Sequence, residues 1–146
     1  MTNIFLFDYE LRLKSWAELR EKIKHLDTAN QCIEIDRYWQ RAPMTNHYLH
    51  PDFLKTWPDP WQLIADNTFC NYSRALGMIY TLFLLGKKNI ALVDAKDDNN
   101  NEVVLVLVDN AKYVLNYWPD MVVNIRITDF VITKEHDLSP LLNKLG

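Results

Sequence analysis

Glycine is scarce, with three residues in a chain of 146, so no glycine-rich loop for cradling a nucleotide phosphate can be built from this sequence. Cysteine is almost as rare. Cys32 and Cys70 cannot form a disulfide framework, which predicts free thiols and a reducing compartment. Basic runs are missing too: Lys87-Lys88 is the one adjacent pair, and Lys+Arg 16 against Asp+Glu 19 leaves a net charge of −3. That balance gives no field for a phosphate backbone and argues against nucleic acid as a partner. The longest uncharged apolar run, residues 75–85, falls short of the ~20 helical residues that cross a bilayer. The opening residues also lack the order of a signal peptide. The expectation is a protein that is neither secreted nor membrane-bound, located in a virion or a host cytoplasm.

What the chain does have is apolar and aromatic side chains, 49% and 12% of the residues, with five Trp. One domain over residues 1–146 with a sizeable core is expected. Ser15-Trp16-Ala17-Glu18 reads as a capping box, predicting a helix that starts there and packs by Trp16, Leu19, Ile23 and Leu26. Residues 1–30 thus form an N-terminal segment and an amphipathic helix. Cys32-Ile33-Glu34-Ile35-Asp36 alternates and predicts a short strand.

Within residues 38–66 three of the five Trp (Trp39, Trp57, Trp61) are interleaved with Pro43, Pro51, Pro58 and Pro60. Proline removes a donor and pushes its predecessor to extended backbone, so this aromatic arm should wander over the surface. Asp59-Pro60 then predicts the start of a helix. A second helix over residues 70–85, apolar nearly all round and stopped by Gly86, should be the central helix of the domain. Residues 90–95, 103–108, 112–117 and 122–132 read as strands joined by short polar turns, which demands an antiparallel β-meander. The run 103–108 lacks alternation and should be buried on both faces. Residues 67–134 form this helix-and-sheet core, and 135–146 a tail with a short capped helix at Ser139-Pro140. The fold class is α+β, a central buried helix on an antiparallel meander.

A cysteine at a helix start can be chemically useful, because the helix N-terminus favours thiolate and can steady an oxyanion. Around Cys70-Asn71-Tyr72-Ser73-Arg74-Ala75-Leu76-Gly77, Val103-Val104-Leu105-Val106 and Tyr113-Val114-Leu115-Asn116-Tyr117, the sequence resembles the bacterial transglutaminase-like, papain-like cysteine proteinases. The resemblance spans residues 67–123. It implies a nucleophile at Cys70, a histidine opening the second strand and an acid on the third. Those last two places fall here on Glu102 or Val103 and on Asn116. An amide can orient an imidazole, but there is none to orient: His25, His47 and His50 precede Cys70, and His136 lies near the tail. The resemblance therefore implies a scaffold that has lost its reaction, with no catalytic residues. If it were active, Cys70 would need His47 or His50 as base, with Asn116 or Asp52 orienting it, in a cysteine hydrolase or amidase.

His47-x-x-His50 with Asp52 lacks a fourth ligand of fitting spacing, and Asp94, Asp97 and Asp98 lack the glycine and terminal Glu of a cation loop, so no metal and no cofactor are expected. Asn99-Asn100-Asn101 predicts a polar hairpin turn. Tyr38, Trp39, Arg41, Trp57 and Trp61 are the candidate partner-binding residues, since Trp, Tyr and Arg anchor interfaces. Residues 57–82 are also similar to small tailed-phage proteins. The expected function is a non-catalytic structural subunit that binds other protein subunits of an assembly, a phage tail or baseplate, with no small-molecule substrate. A small cytoplasmic inhibitor or host-takeover protein is the remaining alternative.

Overall fold

Three aspartates start three helices. In the computed structural model, which describes residues 3–46 and 48–145, Asp8, Asp27 and Asp59 each accept a hydrogen bond from the backbone N–H three residues on, at 3.1, 2.9 and 2.7 Å. They cap α1 (Tyr9–Ile23), α2 (Thr28–Gln40) and α3 (Pro60–Asp66). A carboxylate at this position satisfies a free donor and complements the helix dipole. The expected start at Ser15 is thereby corrected: Asp8 opens α1 earlier, and the Ser15 hydroxyl accepts from Tyr38 Oη at 3.2 Å.

The strand expected at residues 32–36 is helix. Cys32, Ile35, Asp36 and Trp39 are buried along one side of α2, and their spacing of three, four and seven residues is helical. Five alternating residues were too few to separate the two periods. Asp59-Pro60 begins α3 as expected, and α4 (Asn71–Leu84) ends before Gly86, whose φ of 87° continues the chain where an L-residue would be strained.

The sheet is antiparallel, in the order β3-β2-β1-β4, with β1 Ile90–Asp97, β2 Glu102–Val108, β3 Tyr113–Leu115 and β4 Phe130–His136. β2 is covered on both sides. Val106 and Val108 join the α4 core with Leu92 and Leu115, while Leu105 and Leu107 pack against Val93, Ala95, Val114, Ile125 and Phe130. The meander holds for three strands only. The strand expected over 122–132 begins at Phe130, and β4 returns to pair with β1 on the far side. Before it, Asp120 takes a positive φ, Val122 and Ile125 dip inward, and Asp129 caps Arg126 N at 2.7 Å. No helix among the described residues is long and apolar enough to cross a membrane. The tail forms a short helix, α5 (Ser139–Leu142), held by buried Leu141 and by Lys144 Nζ donating to Lys55 O at 2.9 Å.

A polar hub sits in the core. The Thr81 hydroxyl, fully buried on α4, accepts from Trp16 Nε1 at 2.8 Å and Trp39 Nε1 at 3.1 Å and donates to Gly77 O at 2.7 Å. Its one hydrogen and both lone pairs are thereby used. Trp39 packs so closely on α4 that a Cβ at Gly77 would lie 2.5 Å from the indole.

Candidate functional site: the cleft at the start of the central helix

Cys70 is the N-cap of α4, with extended backbone and no side-chain capping bond. Its Sγ lies 3.3 Å from Ser73 Oγ. It opens onto a cleft of about 400 Å³ whose walls include Tyr48, Tyr72, Asp94, Glu102 and Thr133. Alternation along β1 places Asp94 on the same side as Leu92, toward α4, at its exposed end. There Asp94 Oδ1 accepts from Tyr72 Oη at 2.8 Å. Burial, and then the Asp94 carboxylate, push the Tyr72 hydroxyl well above the usual tyrosine range, so it keeps its proton and acts as a donor.

Behind Asp94 lies His136, its side chain 1% exposed, with Nε2 3.1 Å from Asp94 Oδ1. This buried nitrogen has no hydrogen-bond partner among the described residues. The Tyr72 and His136 rings meet edge to face at 5.9 Å. Sequence reasoning missed this cluster. The available signal was a carboxylate in an inward position of β1, whereas His136 sits near the end of the chain and gains its neighbours only through β4 pairing with β1.

Of the described residues proposed for an active cysteine enzyme, none of Asn116, His50 and Asp52 is hydrogen-bonded to Cys70. Asn116, with φ 70°, donates through Nδ2 to Asn71 O at 3.1 Å and Val104 O at 2.9 Å, and through its backbone N to Asp36 Oδ1 at 2.8 Å. Both amide hydrogens are used, so Asn116 joins α2, α4, β2 and the exit of β3, and no imidazole among the described residues is hydrogen-bonded to it. Burial raises the Asp36 carboxyl above the usual range against the opposing effect of that N–H. His50 stays in its own turn, where Nδ1 accepts from Asp52 N at 3.2 Å and the ring rests 4.6 Å from Phe53; it does not line the cleft. Asp52 is bound to Lys134 at 2.6 Å, which holds its carboxyl below the usual range. His47 lies outside the described residues. Among those described, no imidazole is hydrogen-bonded to Cys70, and no group of three or more His, Cys, Asp or Glu is placed to hold a metal ion. Cys32 is fully buried, its thiol pushed up to about 12 mainly by desolvation, and serves as packing.

The aromatic arm divides. Trp39 and Trp57 are each 1% exposed, which corrects their assignment as partner-binding residues: their rings fill the core. The Trp57 indole donates to His50 O at 2.9 Å. Tyr38 is half-buried under α1, and Arg41 is exposed. Trp61 is 43% exposed, and Tyr48 at 65% and Phe53 at 56%, two rings outside the expected partner-binding set, also face solvent. No protein-family model and no curated protein matches the chain.

Proposed function

We propose that the chain is a non-catalytic subunit that binds other proteins through its arm, on a degenerate transglutaminase-like core. One observation carries this: Tyr48, Phe53 and Trp61 stand exposed on a segment whose backbone is pinned beneath them. The pins include Trp57, the Arg74 guanidinium on Ala42 O and the Tyr80 hydroxyl on Pro58 O at 2.7 Å. Rings held on fixed backbone lose little entropy on docking. A cysteine at the start of a buried helix facing a sheet supports the degenerate core, and the similarity of residues 57–82 to small tailed-phage proteins supports a virion location, in a tail or baseplate.

The test is a photo-crosslinking residue at Phe53, with one at exposed Lys112 as control, in cells or particles that contain the chain. Covalent adducts to defined protein subunits from Phe53 alone are expected. Equal adducts from both positions, or none from a chain that stays monodisperse, overturn the reading. Cys70 supplies a separate check, because a thiol without a base reacts with iodoacetamide at the rate of an ordinary cysteine. Rapid stoichiometric labelling near neutral pH would instead favour the hydrolase.

A further inference from the structure

The Cys70 cleft does not end at Glu102. A second hollow of about 180 Å³ shares Asn71, Glu102, Val103 and Val104 with it and continues to Asn116, Tyr117 and Trp118. The two form one groove over the start of α4 and the first residues of β2. An exposed ring stands at each end, Tyr48 at 65% and Trp118 at 60%.

The charge of this groove has one sign. Asp94, Asp97 and Glu102 line it, and among the described residues no lysine, arginine or histidine does. Asp97 is held by backbone N–H groups of Asn99 and Asn101 and by Tyr117 Oη at 3.1 Å. Asp94 is held by Tyr72, and the buried His136 Nε2 lies 3.1 Å from the same oxygen. Glu102, at the waist where the halves meet, is exposed and has no side-chain partner among the described residues. Lys96 stands opposite it in the β1–β2 register but lines neither hollow and forms no ion pair with it.

We infer that this groove binds an extended segment of a partner protein carrying arginine side chains. Three carboxylates repel phosphate or an acidic chain and attract a cation. Arginine suits the site better than lysine, because its planar fork pairs with carboxylates and also stacks on aromatic faces, and rings flank the carboxylates on both sides. The inference rests on the protein-binding reading for the class of partner; its surface shares Tyr48 with the arm but includes neither Phe53 nor Trp61.

The experiment is an NMR titration of the full chain with the peptide acetyl-Arg-Gly-Arg-amide, its citrulline counterpart, and spermidine. Citrulline keeps the shape and removes the charge. The arginine peptide is expected to shift Tyr72, Glu102 and the Trp118 indole, and to weaken as salt is raised. Glu102→Gln, at an exposed side chain that holds nothing in the fold, should weaken it about fivefold. Equal binding of the citrulline peptide, spermidine binding as tightly as the arginine peptide, an unchanged affinity in Glu102→Gln, or no shifts at millimolar peptide would each overturn the inference. Failure here leaves Phe53 crosslinking untouched, and loss of that crosslinking with arginine binding intact would instead remove the arm.

Discussion

The arm and the helix before it contain two kinds of aromatic residue that the sequence does not distinguish. Trp39 and Trp57 are buried, whereas Tyr48, Phe53 and Trp61 face solvent. For the tryptophans the difference lies in what the core offers to the indole N–H. Trp39 finds the Thr81 hydroxyl, and Trp57 finds the His50 carbonyl that its own turn presents. A buried indole needs such an acceptor. Trp61 follows Pro60 on α3, where Leu63 and Ile64 take the inward positions, and its ring is left outside. The aromatic load of this segment is therefore divided between core and surface, and the surface part is free to do something else.

The sharpest way to break this contrast is at Trp39, whose ring meets those of Phe5, Trp16, Tyr38 and Phe69. Trp39→Ala should cost about 3–5 kcal/mol of stability in urea unfolding. A loss near zero would mean that Trp39 is no more structural than Trp61. Thr81→Val comes next. It keeps the volume but removes the acceptor shared by two buried indoles, for an expected loss of about 2–4 kcal/mol. Thr81→Ser, retaining the hydroxyl, should recover most of that; if it recovers none, the methyl packing and not the hub holds the two tryptophans.

How far these features were legible depended on whether their cause was local. Asp59-Pro60 and Gly86 act within a turn of the chain, and both helix boundaries followed from them. The two-sided burial of β2 was readable because a six-residue run without alternation leaves few other options. The strand expected at residues 32–36 failed because helical and extended periods coincide over so short a window. β4 failed because its partner is β1 and not the preceding strand, a non-local fact. In the site, Cys70 at a helix start was readable from spacing. The Tyr72, Asp94 and His136 cluster was not, because it needs α4, β1 and β4 assembled. Asn116 was identified as a polar residue on the third strand, but its three hydrogen bonds to other elements make it a staple.

The smallest expected effect on stability is the most informative about function. Phe53→Ser and Trp61→Ser remove rings that are about half exposed, so each should cost about 1 kcal/mol, well below the Trp39→Ala loss. If Phe53 and Trp61 anchor a partner, Trp61→Ser should abolish the crosslinks formed from a probe at Phe53 while moving the unfolding curve little. A stability loss as large as that of Trp39→Ala would place these rings in the fold, and the arm would then be a strap and not a contact surface. A small stability loss with unchanged crosslinking would separate exposure from binding altogether, because a ring can face water simply where no acceptor and no space were left for it inside.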